Sequence, residues 1–322
     1  MKRRNFIKAA AALPAVGILT QFRPAFASKW PEREITLING FAPGAATDLT
    51  ARALAEVVAR KLDATIIVKN VPGGAGTAGP AQLAASKPDG YTMGLVGSSS
   101  VVASPFLMDV PYKPWEAFEF IAQAAEFRYG LGVSAESPVK TLEDFIALGK
   151  TRQVTFGSTS PTNLTSMYKL RKLTGANLRW IVFKGGNESV MQAVGGHVDS
   201  VLASATEMKP QIDAGKLRLL ASASDERWDE YPDVKTIREH GYDAATRGPV
   251  GYAFPAGVDP QIRDKMEKAF EEALQDKELQ QRIRNLGVVP KFRTGKEYHA
   301  LLKQMEPEIY DVLKENNMLK KS

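Results

Sequence analysis

The sequence predicts an α/β protein of two domains, each built on a mostly parallel sheet flanked by helices. Two observations lead to this prediction. Short apolar, β-branched segments alternate along the chain with amphipathic segments of helical period. The 295 residues that follow residue 27 are also more than one such sheet usually needs, so two domains are the economical arrangement.

The individual elements can be placed from residue 34 onward. Apolar segments predict strands at 34–41, 65–69, 92–96, 154–157, 179–183, 200–203 and 217–221. Amphipathic spacing predicts helices at 47–62, 141–149, 163–173, 188–194 and 207–214. Two later helices have defined starts, since Asp259 precedes Pro260 and Thr294 forms a capping box with Glu297.

The first 27 residues have the three parts of a secretory signal. Basic residues that include Arg3 and Arg4 precede an apolar run at 9–19, and Ala25-Phe26-Ala27 has the pattern of a cleavage site. The apolar run is too short to span the ~30 Å of a bilayer core. Arg3-Arg4 and the residues after them resemble the twin-arginine export motif. We therefore expect cleavage after Ala27 and a soluble periplasmic protein.

Most of the net charge belongs to that leading segment. The chain has 42 basic and 36 acidic residues, a net charge of +6, and removing residues 1–27 leaves +1. No basic stripe remains, so nucleic acid is not an expected partner. The chain has no cysteine and three distant histidines (His197, His240 and His299), a poor basis for a zinc site or a histidine-based triad. We expect no cofactor and no metal.

Ligands of open α/β sheets bind where strands lead into helices, so these loops are the candidate sites. The loop at 41–48 is rich in small residues, and Thr47 is placed to cap the next helix, whose free N–H groups would bind an anion. A capped turn without a ligand is an equal alternative. The loop at 71–79 has the G-x-G-x-x-G spacing of a dinucleotide site, but no acid that would bind a ribose follows the next strand.

Two hydroxyl-rich clusters, 97–100 and 157–160, end two separate strands. The sequence has no G-x-S-x-G segment to accompany them. Hydroxyls beside loop N–H groups suit a bound carboxylate, so binding explains these clusters better than hydrolysis does.

Several segments match a known family in order and spacing. They are Trp30-Pro31 with 35–41, Pro43-Gly44 with Thr47-Asp48, 70–76, 88–92, 183–186, 195–199, 214–217 and 255–257. On these segments the mature chain resembles, end to end, the solute receptors of tripartite tricarboxylate transporters, the Bug family. The resemblance implies a Venus-flytrap protein whose chain crosses between domains near 126–128 and 249–251. Domain 1 would comprise 28–127 with 250–322, and domain 2 would comprise 128–249.

The resemblance also implies a site between the domains, in which the 44–48 loop meets a ligand carboxylate. The expected ligand-binding residues are Gly44, Ala45, Ala46, Thr47, Asp48, Ser98, Ser99, Ser158, Thr159, Thr162, Asn163, Lys184, Gly185, Gly186 and Ser204.

Three positions depart from the family pattern. Gly44-Ala45-Ala46 stands in place of three glycines, and Ala203-Ser204 in place of an Asp-Asn pair. Arg128 stands where uncharged residues are more common. A guanidinium fixed there would meet a second ligand carboxylate. The alternative is a solvated surface arginine.

The sequence thus predicts a periplasmic receptor, without catalysis, for a small di- or tricarboxylate or related organic acid. The expected partners are the membrane components of a tripartite transporter or a sensor protein, and the expected state is a monomer. The alternative is an exported oxidoreductase or hydrolase with a nucleotide or small-acid site in the same loops.

Overall fold

The computed structural model describes residues 29–159, 161–183 and 185–320. The signal segment with Arg3, Arg4 and the cleavage site at Ala27 lies outside the described residues, and so does Lys184. The described strands are β1 (Ile35–Asn39), β2 (Ile66–Asn70), β3 (Thr92–Leu95), β4 (Phe118–Phe127), β5 (Tyr129–Ser134), β6 (Val154–Ser158), β7 (Leu178–Val182), β8 (Ser200–Ser204), β9 (Leu217–Ser222), β10 (Gly248–Pro255) and β11 (Val288–Thr294).

Helices connect most of these strands. They are α1 (Ala46–Leu62), α2 (Ala78–Ala84), α3 (Ser104–Leu107), α4 (Leu142–Thr151), α5 (Thr165–Thr174), α6 (Gly186–Val194), α7 (Ala205–Asp213), α8 (Pro260–Ala273), α9 (Lys277–Asn285) and α10 (Gly295–Glu315). The predicted helix starts are confirmed: Thr141 and Thr294 form capping boxes with Asp144 and Glu297, and Asp259 caps α8 ahead of Pro260.

The strands form two sheets, as the predicted two-domain α/β fold requires. The first has the order β11-β4-β10-β3-β1-β2 and the second β7-β6-β8-β5-β9. Both sheets are mixed and not mostly parallel as predicted, because β10 runs antiparallel to β3 and β4, and β5 runs antiparallel to β8 and β9. Strands β5 and β10 are each the first strand after the chain passes from one sheet to the other.

The chain passes from the first sheet to the second at Arg128, between β4 and β5. It returns before Gly248, where β10 begins. A third connection is made by packing: Tyr298 and Leu302 of α10 belong to a core of the first sheet, whereas Val312 packs in a core of the second. The last helix therefore touches both sheets.

Each sheet buries apolar side chains on both of its faces. In the first sheet, Leu37 and Leu54 belong to the core under α1 and α8, and Ile38 belongs to the core on the opposite face. Adjacent residues of one strand point to opposite faces, so Leu37 and Ile38 lie in different cores. Packing on both faces leaves the ends of the strands, and the loops there, as the surface available to a ligand.

Candidate ligand-binding site

The loops expected to bind ligand follow the carboxyl ends of strands in both sheets. We call residues 42–48 with Asn39 and 97–99 the α1 side, and residues 158–159, 161–163, 185–186 and 204–207 the α7 side. Near the middle, the short helix Ser99–Ala103 from the first sheet lies beside the turn Pro161–Leu164 from the second. The structure thus brings loops of both sheets next to each other.

Asp48 organises the α1 side. Its side chain is 2 % exposed, and Oδ2 accepts a hydrogen bond of 2.8 Å from the Gly44 N–H. Arg52 donates to the same oxygen at 3.1 Å, and Asn70 donates to Oδ1 at 2.8 Å. Gly44 has a φ of +79°, a left-handed conformation that glycine adopts at little cost. The carboxylate therefore fixes the loop from within, and this buried position gives it a structural role.

The surroundings of Asp48 keep it ionised. Burial raises the pKa of this carboxyl, but the hydrogen bonds from Gly44, Arg52 and Asn70 and the charge of Arg52 outweigh burial. The pKa of Asp48 is consequently below its usual 3.8.

The N-terminus of α1 is left open. Ala45 is the N-cap residue and supplies no side-chain acceptor, and the N–H groups of Ala46, Thr47 and Asp48 have no acceptor within the described residues. The prediction that Thr47 caps this helix is wrong, because α1 begins at Ala46 and Thr47 is its second residue. Its Oγ1 is buried and, like Asn39 Oδ1, has no partner among the described residues. Free N–H groups and the positive end of the helix dipole favour an anion here.

The glycine loop after β2 supports the α1 side by packing. A Cβ on Gly76 would lie 3.4 Å from the Phe41 ring and 3.9 Å from Ser99 Oγ. A Cβ on Gly79 would lie 2.8 Å from the Cα of Gly40. These glycines let α2 and its loop approach β1 closely, which accounts for their spacing without a dinucleotide.

The hydroxyl clusters predicted as ligand-binding follow strands of both sheets. Ser98 follows β3 and is 8 % exposed. Ser158 ends β6 fully buried, and its Oγ has no partner among the residues described. Asn163 lies 3.5 Å from Thr159, and Thr246, beside the return passage, donates to the Asn163 carbonyl at 3.0 Å. The turn that follows β6 is thereby tied to the passage between the sheets.

The α7 side contains a charged group that sequence reasoning missed. Glu207 Oε2 accepts hydrogen bonds from the Ser204 N–H at 2.9 Å and from the Ser204 hydroxyl at 2.7 Å. A Cβ on Gly186, the first residue of α6, would overlap the Glu207 carboxylate. The predicted site residues Ser204 and Gly186 are therefore brought together around this acid. A Ser followed by Glu three residues later is a capping-box pattern visible in the sequence.

Tyr129 lies near the same acid. Burial raises the pKa of its phenol, and the charges of Glu207 and Glu126 raise it further. The hydroxyl group therefore stays protonated, as a hydrogen-bond donor, throughout the physiological range.

Arg128 has a protein carboxylate as its partner. Its side chain is 4 % exposed, and Nη2 donates to both oxygens of Glu230 at 3.0 and 2.9 Å. Asp229 lies 3.5 Å from Nη1, while Nε and Nη1 make no hydrogen bond within the described residues. Because Arg128 is buried, the alternative that it is a solvated surface arginine is wrong. Its expected contact with a second ligand carboxylate stays a prediction, because Glu230 occupies Nη2 while the buried Nε and Nη1 keep N–H groups that are unpaired among the described residues.

A groove of about 630 Å³ lies elsewhere, along the outer strand β7 of the second sheet. Its lining includes Gln153, Asn177 and Leu178, which lie at the amino ends of β6 and β7. Ligands of such sheets bind at the carboxyl ends, so we do not assign the site to this groove.

Two other features are absent from the part of the chain that the structure describes. Within it, no group of three acidic, histidine or cysteine side chains is arranged to hold a metal ion. No helix there has the length and apolarity required to cross a bilayer.

Comparisons with known proteins agree with this architecture. Residues 50–318 match the family described as tripartite tricarboxylate transporter family receptor. A protein of Cupriavidus necator, named for its position in the gbd 5′ region, is 32 % identical over 92 % of this chain and 93 % of its own.

Two solved structures share the fold. The periplasmic binding protein BugD superposes with a TM-score of 0.74 at 27 % identity, over 91 % of this chain and 100 % of its own. MatC of Rhodopseudomonas palustris with bound malate gives a TM-score of 0.74 at 24 % identity, over 88 % and 100 %. Members of this family are periplasmic solute-binding proteins, not enzymes. The chain belongs to the tripartite tricarboxylate transporter receptor family.

Proposed function

We propose that this chain is a periplasmic receptor that captures a small carboxylate between its two domains and delivers it to a tripartite tricarboxylate-type transporter. The observation that carries the proposal is the open N-terminus of α1. Three N–H groups and the Thr47 hydroxyl lack partners there among the described residues. Buried polar groups are normally paired, so an unpaired cluster at a helix N-terminus points to a missing anionic partner.

Capture would follow from the two passages of the chain. Residues 28–127 with 250–322 would move as one body and 128–249 as the other, bending at Arg128 and before Gly248. A ligand that contacts both sides stabilises the closed arrangement by its greater affinity for that state. The Ser158 hydroxyl and the turn at 161–164 would complete the contacts from the second body.

The primary test is a thermal-shift screen of the mature protein against small mono-, di- and tricarboxylates. A ligand present at about 100 times its Kd stabilises the folded state by about 2.7 kcal/mol. For a chain of this size that corresponds to a rise in Tm of roughly 5 °C. The amide or methyl ester of each active acid is the control, because it keeps the shape and removes the charge. Equal binding of acid and ester, or no stabilisation by any carboxylate, would refute the proposal.

Export is the second part of the proposal. We propose that residues 1–27 direct twin-arginine export and are removed after Ala27. N-terminal sequencing of the periplasmic protein should then begin at Ser28, and replacing Arg3 and Arg4 by lysine should retain the protein in the cytoplasm. Export of that double variant at the normal level would contradict the twin-arginine route.

A further inference from the structure

The two sides of the site differ in how a protein carboxylate is placed. On the α7 side, the carboxylate of Glu207 lies at the N-termini of two helices. Oε2 is bonded to Ser204, the N-cap residue of α7, and the carboxylate lies against Gly186 at the start of α6. These are the positions where a second ligand carboxylate would otherwise find N–H groups.

The carboxylate of Glu207 lacks a counterion in the described part of the chain. No described lysine, arginine or histidine lies within ion-pair distance of it, and its side chain is only half-buried. Asp48 on the α1 side contrasts with it, because Arg52 lies 3.1 Å away. The α1 side therefore carries an acid paired with a cation beside free N–H donors, whereas on the α7 side a protein carboxylate without a described counterion already occupies the helix starts.

A carboxylate that already occupies the helix starts discriminates between ligands. Like charges repel and opposite charges attract, and both effects are stronger in a partly buried site than in water. A ligand carboxylate placed next to Glu207 would thus be rejected, while an ammonium or hydroxyl group would pair with its free acceptor sites.

We propose that Glu207 makes this receptor select small acids with a carboxylate at one end and a hydrogen-bond donor, either ammonium or hydroxyl, at the other. The inference rests on the proposed function, since it requires the first carboxylate to bind at α1. It narrows the di- or tricarboxylate expectation, because a second carboxylate would have to avoid the α7 side.

Glu207→Gln is the decisive variant. Glutamine keeps an oxygen that accepts from Ser204, so the capping box survives and only the charge is removed. Glu297→Gln is the matched control. Glu297 is exposed and accepts from the Thr294 N–H and hydroxyl, both at 2.9 Å, in an equivalent box at the start of α10, which is outside both sides of the site. Both variants should therefore change stability similarly, and only the first should change ligand preference.

The probes are acids of three to six carbons that share a chain length and differ at the far end, such as γ-aminobutyrate, 4-hydroxybutyrate and succinate. The simple monocarboxylate butyrate completes this set. In calorimetry, wild type should bind the best amino or hydroxy acid at least tenfold more tightly than the dicarboxylate of equal length. Glu207→Gln should bring that ratio to within about threefold, and Glu297→Gln should leave it unchanged.

The possible failures are distinguishable. Preference of wild type for dicarboxylates, or equal binding of donor-bearing acids and plain monocarboxylates, would overturn the inference and leave the proposed function standing. An unchanged ratio in Glu207→Gln would do the same. Failure of every carboxylate, in this series and in the wider screen, would overturn the proposed function and this inference with it.

Discussion

Each side of the site has one acidic residue beside a helix N-terminus, and the two acids do different things. Asp48 on the α1 side is buried, accepts from the Gly44 N–H and is neutralised by Arg52. Glu207 on the α7 side caps its own helix through Ser204 and has no cation near it in the described part of the chain. The two acids therefore differ in what they leave for a ligand: Asp48 leaves the N–H groups at the start of α1 free of any described partner, whereas Glu207 occupies the start of α7 and lies against that of α6.

The largest effect is expected at Arg128, which adjoins the α7 side through the bond from Ala205 N–H to its carbonyl. Arg128→Met removes the cation of a largely buried pair and leaves Glu230 unpaired, so the free energy of unfolding should fall by ~3 kcal/mol. Urea unfolding of Arg128→Met, Glu230→Gln and the double variant measures this. The double variant should be more stable than the sum of the single losses predicts.

The same three variants also test whether Arg128 contributes to ligand affinity. Ligand affinity of the Arg128→Met, Glu230→Gln double variant should stay within about threefold of wild type, because its partner is a protein carboxylate. The opposite result would be additive losses of stability together with a large loss of affinity. That result would support the predicted contact between Arg128 and a ligand carboxylate.

The next effect is expected at Asp48. Asp48→Ala leaves the Gly44 N–H, Arg52 and Asn70 without their acceptor, which should cost about 2 kcal/mol of stability and reduce ligand affinity more than tenfold. The control is Asp276→Ala, which removes the cap of α9, away from the site, at a cost of about 1 kcal/mol. Chemical unfolding and calorimetry on both variants separate loss of a cap from loss of the site.

The stabilisation by Asp48 should depend on pH in a defined direction. The pKa of Asp48 is lowered in the folded state, so its contribution is fully present above the usual 3.8 and is lost as the pH falls through the lower folded value. The stability difference between wild type and Asp48→Asn should therefore shrink at low pH. A difference that grows on acidification would contradict the assigned network.

The smallest effect is expected from a pair of glycines. Gly44 and Gly196 have φ values of +79° and +73°, and a Cβ added at either position would have no described neighbour within 4 Å. Alanine at either position should cost about 1 kcal/mol of stability through backbone strain alone. Only Gly44→Ala should also weaken ligand binding, because only Gly44 sets the loop at α1. Equal affinities of the two variants would place the ligand away from this loop.

Much of this architecture could be predicted from local sequence. The predicted strands at 154–157 and 200–203 correspond to β6 and β8, and the helix at 47–62 corresponds to α1 within one residue. Strands β4, β5, β10 and β11 were not predicted, although β4 and β10 form the centre of the first sheet. They pair with strands far away in sequence, which no local pattern reveals.

In the candidate site, too, local sequence predicts some features and tertiary packing decides the others. The 44–48 loop and the hydroxyl clusters could be located because strand-to-helix loops are visible as sequence patterns. Glu207 could be read as a cap from its spacing to Ser204, but its approach to Gly186 comes from the packing of α6 and α7 on the second sheet. The partner of Arg128 is 102 residues away, beyond the reach of any local pattern.

The sequence by itself determined the class of fold, the helix starts and the family, because caps, periodicity and ordered motifs act through residues close together in the chain. Only the tertiary structure decided that Thr47 is not a cap, that Arg128 pairs with Glu230, and that Glu207 lies across two helix starts. These results depend on which distant groups come within a few ångströms of each other, since electrostatic and hydrogen-bonding energies are set by distance in space.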